Sequence, residues 1–123
     1  MKISPSESRI LEVLWTADRP LAADEVFAGL GDDPEWTAGT VRTLLTRLVK
    51  KKAVKTKQDG RRYLFKPLID RSAFVDAESA SLIGRFFQGR LAPFVNHFAE
   101  RHDLGDEEIA ELRRVVERLG RGK

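Results

Sequence analysis

The chain contains no cysteine, which removes disulfides, thiolate metal ligands and Cys nucleophiles together. A reducing cytosol fits that composition. Long apolar runs are missing as well: none approaches the roughly 20 residues that cross a bilayer, and Met1-Lys2-Ile3-Ser4-Pro5 lacks a signal-peptide apolar stretch. A cytoplasmic protein without membrane insertion is expected. Histidine is scarce, with His97 and His102 five residues apart and so not on one helical face as a metal pair requires. Both read as ordinary residues, and no metal or cofactor is expected. Ser4, Ser6, Ser8, Ser72, Ser79 and Ser81 have no base beside them in a motif, and Glu107, Glu108 and Glu111 read as a solvated helical turn. No catalytic constellation is composed, so the expectation is a protein that is not an enzyme.

What is present is an ordinary folding composition: 123 residues, 41% hydrophobic and 33% charged, enough for one small domain plus an oligomerisation segment. The formal charge of +3 conceals a strong polarisation. Between Arg42 and Lys66 ten basic residues face the single acid Asp59, a net +9 that leaves −6 for the rest of the chain. A positive face on an acidic body is the footprint of phosphate binding, although a solvated lysine-rich face has the same composition.

The first seventy residues punctuate themselves clearly. Ser4-Pro5-Ser6-Glu7 combines a Ser N-cap, Pro at the first helical position and Glu three residues on, so a helix is predicted from there to about Trp15. Arg19-Pro20 breaks it, Leu21 suits a short bridging strand, and a second helix over Ala23 to Leu30 stops at Gly31. Thr37 caps a third helix that runs to about Lys51. In that helix Val41, Leu44, Leu45 and Leu48 fall at i, i+3, i+4 and i+7, one buried stripe. Gly39, Thr43, Thr46 and Lys50 lie opposite, flanked by Arg42 and Arg47. Small hydroxyl side chains let a helix approach base edges closely, and cations beside them reach phosphates.

Alternating runs before and after Asp59-Gly60 predict a hairpin, with Asp59 and Gly60 as the central residues of a type I′ turn and a basic tip. Helix, turn, helix and basic hairpin is the order of a winged helix-turn-helix. The fold class expected is mainly α (α+β): a winged helix-turn-helix over residues 1–69 with a small β-hairpin wing, then a helical dimerisation region over 70–123. Helices are predicted over Asp70 to Gln88, Leu91 to about Arg101 and Asp106 to Leu119. In the last of these, early acids and late arginines match the helix dipole. Three short amphipathic helices bury too little surface alone, so packing against a second copy is expected, through Phe74, Phe86, Phe87, Phe94, Phe98, Ile109, Leu112 and Val116; folding back as a monomer is the alternative.

Trp15, Glu25, the run from Trp36 to Lys51 and the wing from Gly60 to Pro67 resemble the penicillinase-repressor family of the BlaI/MecI/CopY type. The similarity continues more weakly through Phe98 to Leu104 and the final helix. The resemblance implies a homodimeric transcriptional repressor on a dyad-symmetric double-stranded DNA operator, held together by its C-terminal helices. In the β-lactam branch it implies induction by a membrane sensor linked to a protease, with cleavage near the position of His97-Phe98; His97 stands where relatives known for cleavage carry Asn. In the copper-responsive branch a C-terminal cysteine set senses metal, which this chain lacks.

The interface residues expected are Thr37, Thr40, Arg42, Thr43, Thr46, Arg47, Lys50, Arg61, Arg62 and Tyr63. Thr43 and Thr46 are the candidates for base edges. Thr37 doubles as a helix cap, and Thr40 lies near a helix N-terminus that attracts anions. Arg61 and Arg62 are placed at the wing tip, on phosphate or in the minor groove. Tyr63 belongs to the wing but alternates with Phe65, and is expected to be partly core. A winged helix that binds an acidic protein partner, or a regulator that senses a ligand, are the other classes this sequence leaves open.

Overall fold

The structure, a computed structural model, describes residues 2–122. The chain divides into two compact units, Met1–Val75 and Asp76–Lys123.

The first unit is built as its punctuation dictates. Helix α1 (Pro5–Ala17) starts on a reciprocal capping box: the Ser4 hydroxyl accepts the Glu7 N–H at 3.1 Å and Glu7 Oε1 accepts the Ser4 N–H at 2.8 Å. It ends at Asp18 in the left-handed region. Strand β1 (Leu21–Ala22) leads into α2 (Ala23–Gly29), one residue shorter than expected. A Cβ at Gly29 would stand 2.6 Å from Val13 Cγ1, so glycine there lets α1 and α2 approach closely.

Helix α3 (Ala38–Lys50) begins where the Thr37 hydroxyl accepts the Thr40 N–H at 3.0 Å. It ends in a Schellman motif, with the Ala53 N–H on Leu48 O and the Lys52 N–H on Val49 O, both at 3.0 Å. The left-handed residue that motif needs is Lys52 rather than glycine (φ 64°), a strained choice. Strands β2 (Val54–Asp59) and β3 (Arg62–Pro67) form the wing, and β1 pairs with β3 in a three-stranded antiparallel sheet of order β1-β3-β2.

The hairpin is the expected one, but its tip lies one residue further along. Asp59 pairs with Arg62, so Gly60 and Arg61 are the loop residues. Only Gly60 has positive φ (65°), which fits the pattern with glycine first rather than type I′. The Asp59 backbone is used by the ladder, and that register moves Arg62 off the tip and onto the strand.

Ile10, Leu11 and Leu14 of α1, Val26 of α2 and Val41, Leu45 and Leu48 of α3 are fully buried, with Val54 closing the core from the wing side. Each such side chain contributes about 1.5–3 kcal/mol by leaving water. The Trp15 indole N–H donates to Ile69 O at 3.0 Å, and its ring packs 5.8 Å from Phe74. Phe74, expected on a dimer face, is thus half-buried against its own α1.

Helix α4 (Arg71–Phe87) starts as Asp70 Oδ2 accepts the Ala73 N–H. Within the second unit α5 (Leu91–Arg101) and α6 (Asp106–Arg121) follow. Phe87 and Phe94 meet edge to face at 5.5 Å. Among the described residues of this unit none is buried.

Candidate nucleic-acid interface

The leucine stripe of α3 turns its other side outward. Thr37, Thr40, Arg42, Thr43, Thr46, Arg47 and Lys50 are all exposed, on or at the head of one helix whose apolar side is in the core. Their chemistry is not uniform. Thr37 and Thr40 are tied together, Oγ1 to Oγ1 at 2.9 Å, by the same hydroxyl that caps the helix. Thr46 donates its hydroxyl proton to Arg42 O at 2.9 Å, so what it shows outward is a methyl group and oxygen lone pairs. Thr43, Arg42, Arg47 and Lys50 supply the remaining hydroxyl and three cations.

The wing stands beside this helix. Arg42 and Thr46 share with Arg62, Tyr63 and Phe65 of β3 and the start of α2 the walls of a groove of about 390 Å³. Tyr63 is 55% exposed, which corrects the partly buried position expected for it. β1 is only two residues long and pairs with Phe65 and Leu64, so β3 has no covering edge at residue 63. Arg61 is exposed at the wing's tip. Arg62 is not free: its Nη2 lies 3.5 Å from Glu25 Oε1. Glu25 also takes the Ala22 N–H at 2.9 Å and Arg19 at 3.0 Å, and these, the Ala22 N–H foremost, hold its carboxyl below the usual range.

Two charges were not anticipated as partners. Glu7 is 1% exposed, and Lys51 Nζ lies 2.6 Å from its Oε1 while also donating to Lys2 O at 2.7 Å. Burial pushes the Glu7 carboxyl up, but the Lys51 ammonium and the Ser4 N–H and hydroxyl outweigh it and leave the group below its ordinary value. Lys51 therefore serves the fold, bracing the end of α3 against the start of α1. The sequence carried a signal for this. Glu7 is at i of the stripe completed by Ile10, Leu11 and Leu14, and Lys51 continues Leu44 and Leu48, so each charge sits where an apolar residue belongs.

The expected dimerisation residues divide. Phe74, Phe87 and Phe94 are half-buried within their own units, and Leu112 is half-buried on α6. Phe86, Phe98, Ile109 and Val116 are exposed. His97 faces the Phe87 ring at 6.1 Å, and His102 stacks on Phe98 at 4.2 Å, so the Phe98 ring has a stacking partner inside its own helical region.

Residues 3–118 match the sequence profile of the family described as Penicillinase repressor. The chain belongs to the penicillinase repressor family. It is 34% identical over 116 residues to the penicillinase repressor of Bacillus licheniformis, covering 94% of this chain and 90% of that one. With the methicillin resistance regulatory protein MecI of Staphylococcus aureus it shares 28% over 115 residues, covering 94% and 93%. A solved structure of Bacillus licheniformis BlaI, in monomeric form in complex with the blaP half-operator, superposes with a TM-score of 0.50 at 32% identity, over 58% of this chain and 87% of that one. Family membership and the winged helix described above agree: this is the fold of a DNA-binding repressor family. Among the described residues no helix is long and apolar enough to cross a membrane.

Proposed function

We propose that this penicillinase repressor family member is a sequence-specific transcriptional repressor that binds a dyad-symmetric DNA operator as a homodimer. The single observation carrying this reading is the outward side of α3: threonines and cations with no acid among them, exposed, backed by a buried leucine stripe and adjoined by a cationic wing. Residues 1–69 bind DNA in this reading and residues 70–123 pair the subunits. Helix α3 of each subunit lies in the major groove, with half-sites roughly 10 bp apart. Thr43 and Thr46 meet base edges. The Thr46 methyl and lone pairs suit a thymine methyl or an amino group on adenine or cytosine. Thr37, Thr40, Arg42, Arg47 and Lys50 hold phosphates, as do Arg61 and Arg62, with Tyr63 beside the same backbone.

The unburied apolar side chains of the second unit support pairing: Phe86 and Val116 are 65% and 67% exposed, a state that favours association. Repression follows from occupancy of the promoter in the cytoplasm. Its relief by a sensor-linked protease near His97-Phe98 requires local opening of α5, because that peptide bond lies inside the helix.

Selection of bound duplexes from a random pool tests the reading. An enriched inverted repeat is expected, with log Kd rising against log salt by about 0.9 for each phosphate neutralised. Recovery of no consensus, with indifference to duplex DNA at low salt, refutes it and favours an acidic protein partner.

A further inference from the structure

The groove between α3 and the wing is walled by Arg62 but anchored from behind by a residue that does not line it. Glu25 stands in the first turn of α2, and its carboxylate is fixed on two sides, by the Ala22 N–H at 2.9 Å and by Arg19 Nη2 at 3.0 Å. A single nitrogen of Arg62, Nη2, reaches it at 3.5 Å, across 37 positions of sequence. Arg62 is itself more than half exposed and shares the groove with Arg42, Thr46 and Tyr63. A guanidinium has five N–H donors in a rigid fork, so tethering one edge leaves the others for a second anion.

We propose that Glu25 is a positioning residue for DNA binding: it holds Arg62 over the groove beside α3, so that the free edge of the guanidinium meets a phosphate already oriented. This rests on the reading of α3 and the wing as a DNA interface. A long wing arginine loses rotamer freedom on binding, and a carboxylate that restricts it beforehand removes part of that loss. Glu25 is a negative charge near a phosphate path, so bare electrostatics predicts that its removal tightens binding. Positioning predicts the opposite sign.

The full chain and the duplex enriched from the random pool give the test. Glu25→Gln keeps an oxygen that accepts the Ala22 N–H and leaves the unfolding midpoint near that of the wild type. It is expected to weaken operator binding about three- to tenfold even though the net charge rises by one. Arg62→Ala is expected to weaken binding at least as much. In the Arg62→Ala background, Glu25→Gln is expected to change affinity by less than about twofold, because its target is gone. Equal factors in the two backgrounds, or tighter binding by Glu25→Gln alone, overturn the positioning role while leaving the interface intact. A wild type that selects no duplex overturns the interface and this proposal together.

Discussion

The two units of this chain carry the same kind of helix and dispose of its apolar side differently. In Met1–Val75 the stripes of α1, α2 and α3 meet one another and the strand residue Val54, and nine large side chains are sealed off, Glu7 among them with a lysine to match. In Asp76–Lys123 the stripes of α5 and α6 are as regular, yet Leu91, Val116 and Leu119 remain in solvent. Amphipathic periodicity specifies a helix and the side it will bury; it does not supply the surface that buries it. That requires at least three faces converging, which the first unit has within one chain.

Substitutions at four positions probe this contrast, beginning with the largest effect. Leu45→Ala removes a fully buried side chain from the α3 stripe and should cost about 3 kcal/mol, read by denaturant titration. If it costs no more than a truncation in α6, the first unit has no tight core and the contrast breaks. Glu7→Ala should cost about 2–3 kcal/mol, somewhat less than removal of one partner from a fully buried pair, because Lys51 keeps access to water.

The sign of its pH dependence follows from the lowered Glu7 carboxyl. A group held below its unfolded value contributes stability at pH above that value, about 4.5, and loses it as pH falls through the folded one. Acid unfolding of the wild type should therefore be steeper below about pH 4.5 than that of Glu7→Gln, as followed by circular dichroism.

Val116→Glu places a charge on the open face of α6. In the proposed homodimer it should raise the dissociation constant at least about tenfold in sedimentation, with the unfolding of the first unit unchanged. An unchanged sedimentation coefficient would mean that this face is not the one covered. Lys52→Gly relieves the left-handed residue that ends α3 and should stabilise the first unit by up to about 1 kcal/mol, read as a rise in Tm.

Local order was legible in the sequence to within a residue or two. Ser4 and Glu7 announced α1, Thr37 announced α3, and the spacing of Val41, Leu44, Leu45 and Leu48 identified the outward residues by exclusion. What escaped was pairing across distance. Lys51 lies 44 residues from Glu7 and Arg62 lies 37 from Glu25, and no local rule links them. Tyr63 was misplaced because alternation along β3 says nothing of how far its neighbour β1 extends. The hairpin tip slipped by one because Asp-Gly marks a turn without fixing which pair is central. Each miss concerns a partner rather than an element. Thr46 spends its proton on its own helix, Arg62 arrives already tethered, and Lys51 is committed to Glu7.

The most direct test of the outward side of α3 is the ratio of affinities for the selected operator and for random duplex, measured at fixed salt for the wild type, Thr46→Ala and Lys50→Ala. The reading predicts that Thr46→Ala lowers the ratio about five- to tenfold, while Lys50→Ala weakens both affinities alike and reduces the salt slope by about 0.9. A ratio that Thr46→Ala leaves unchanged would contradict it.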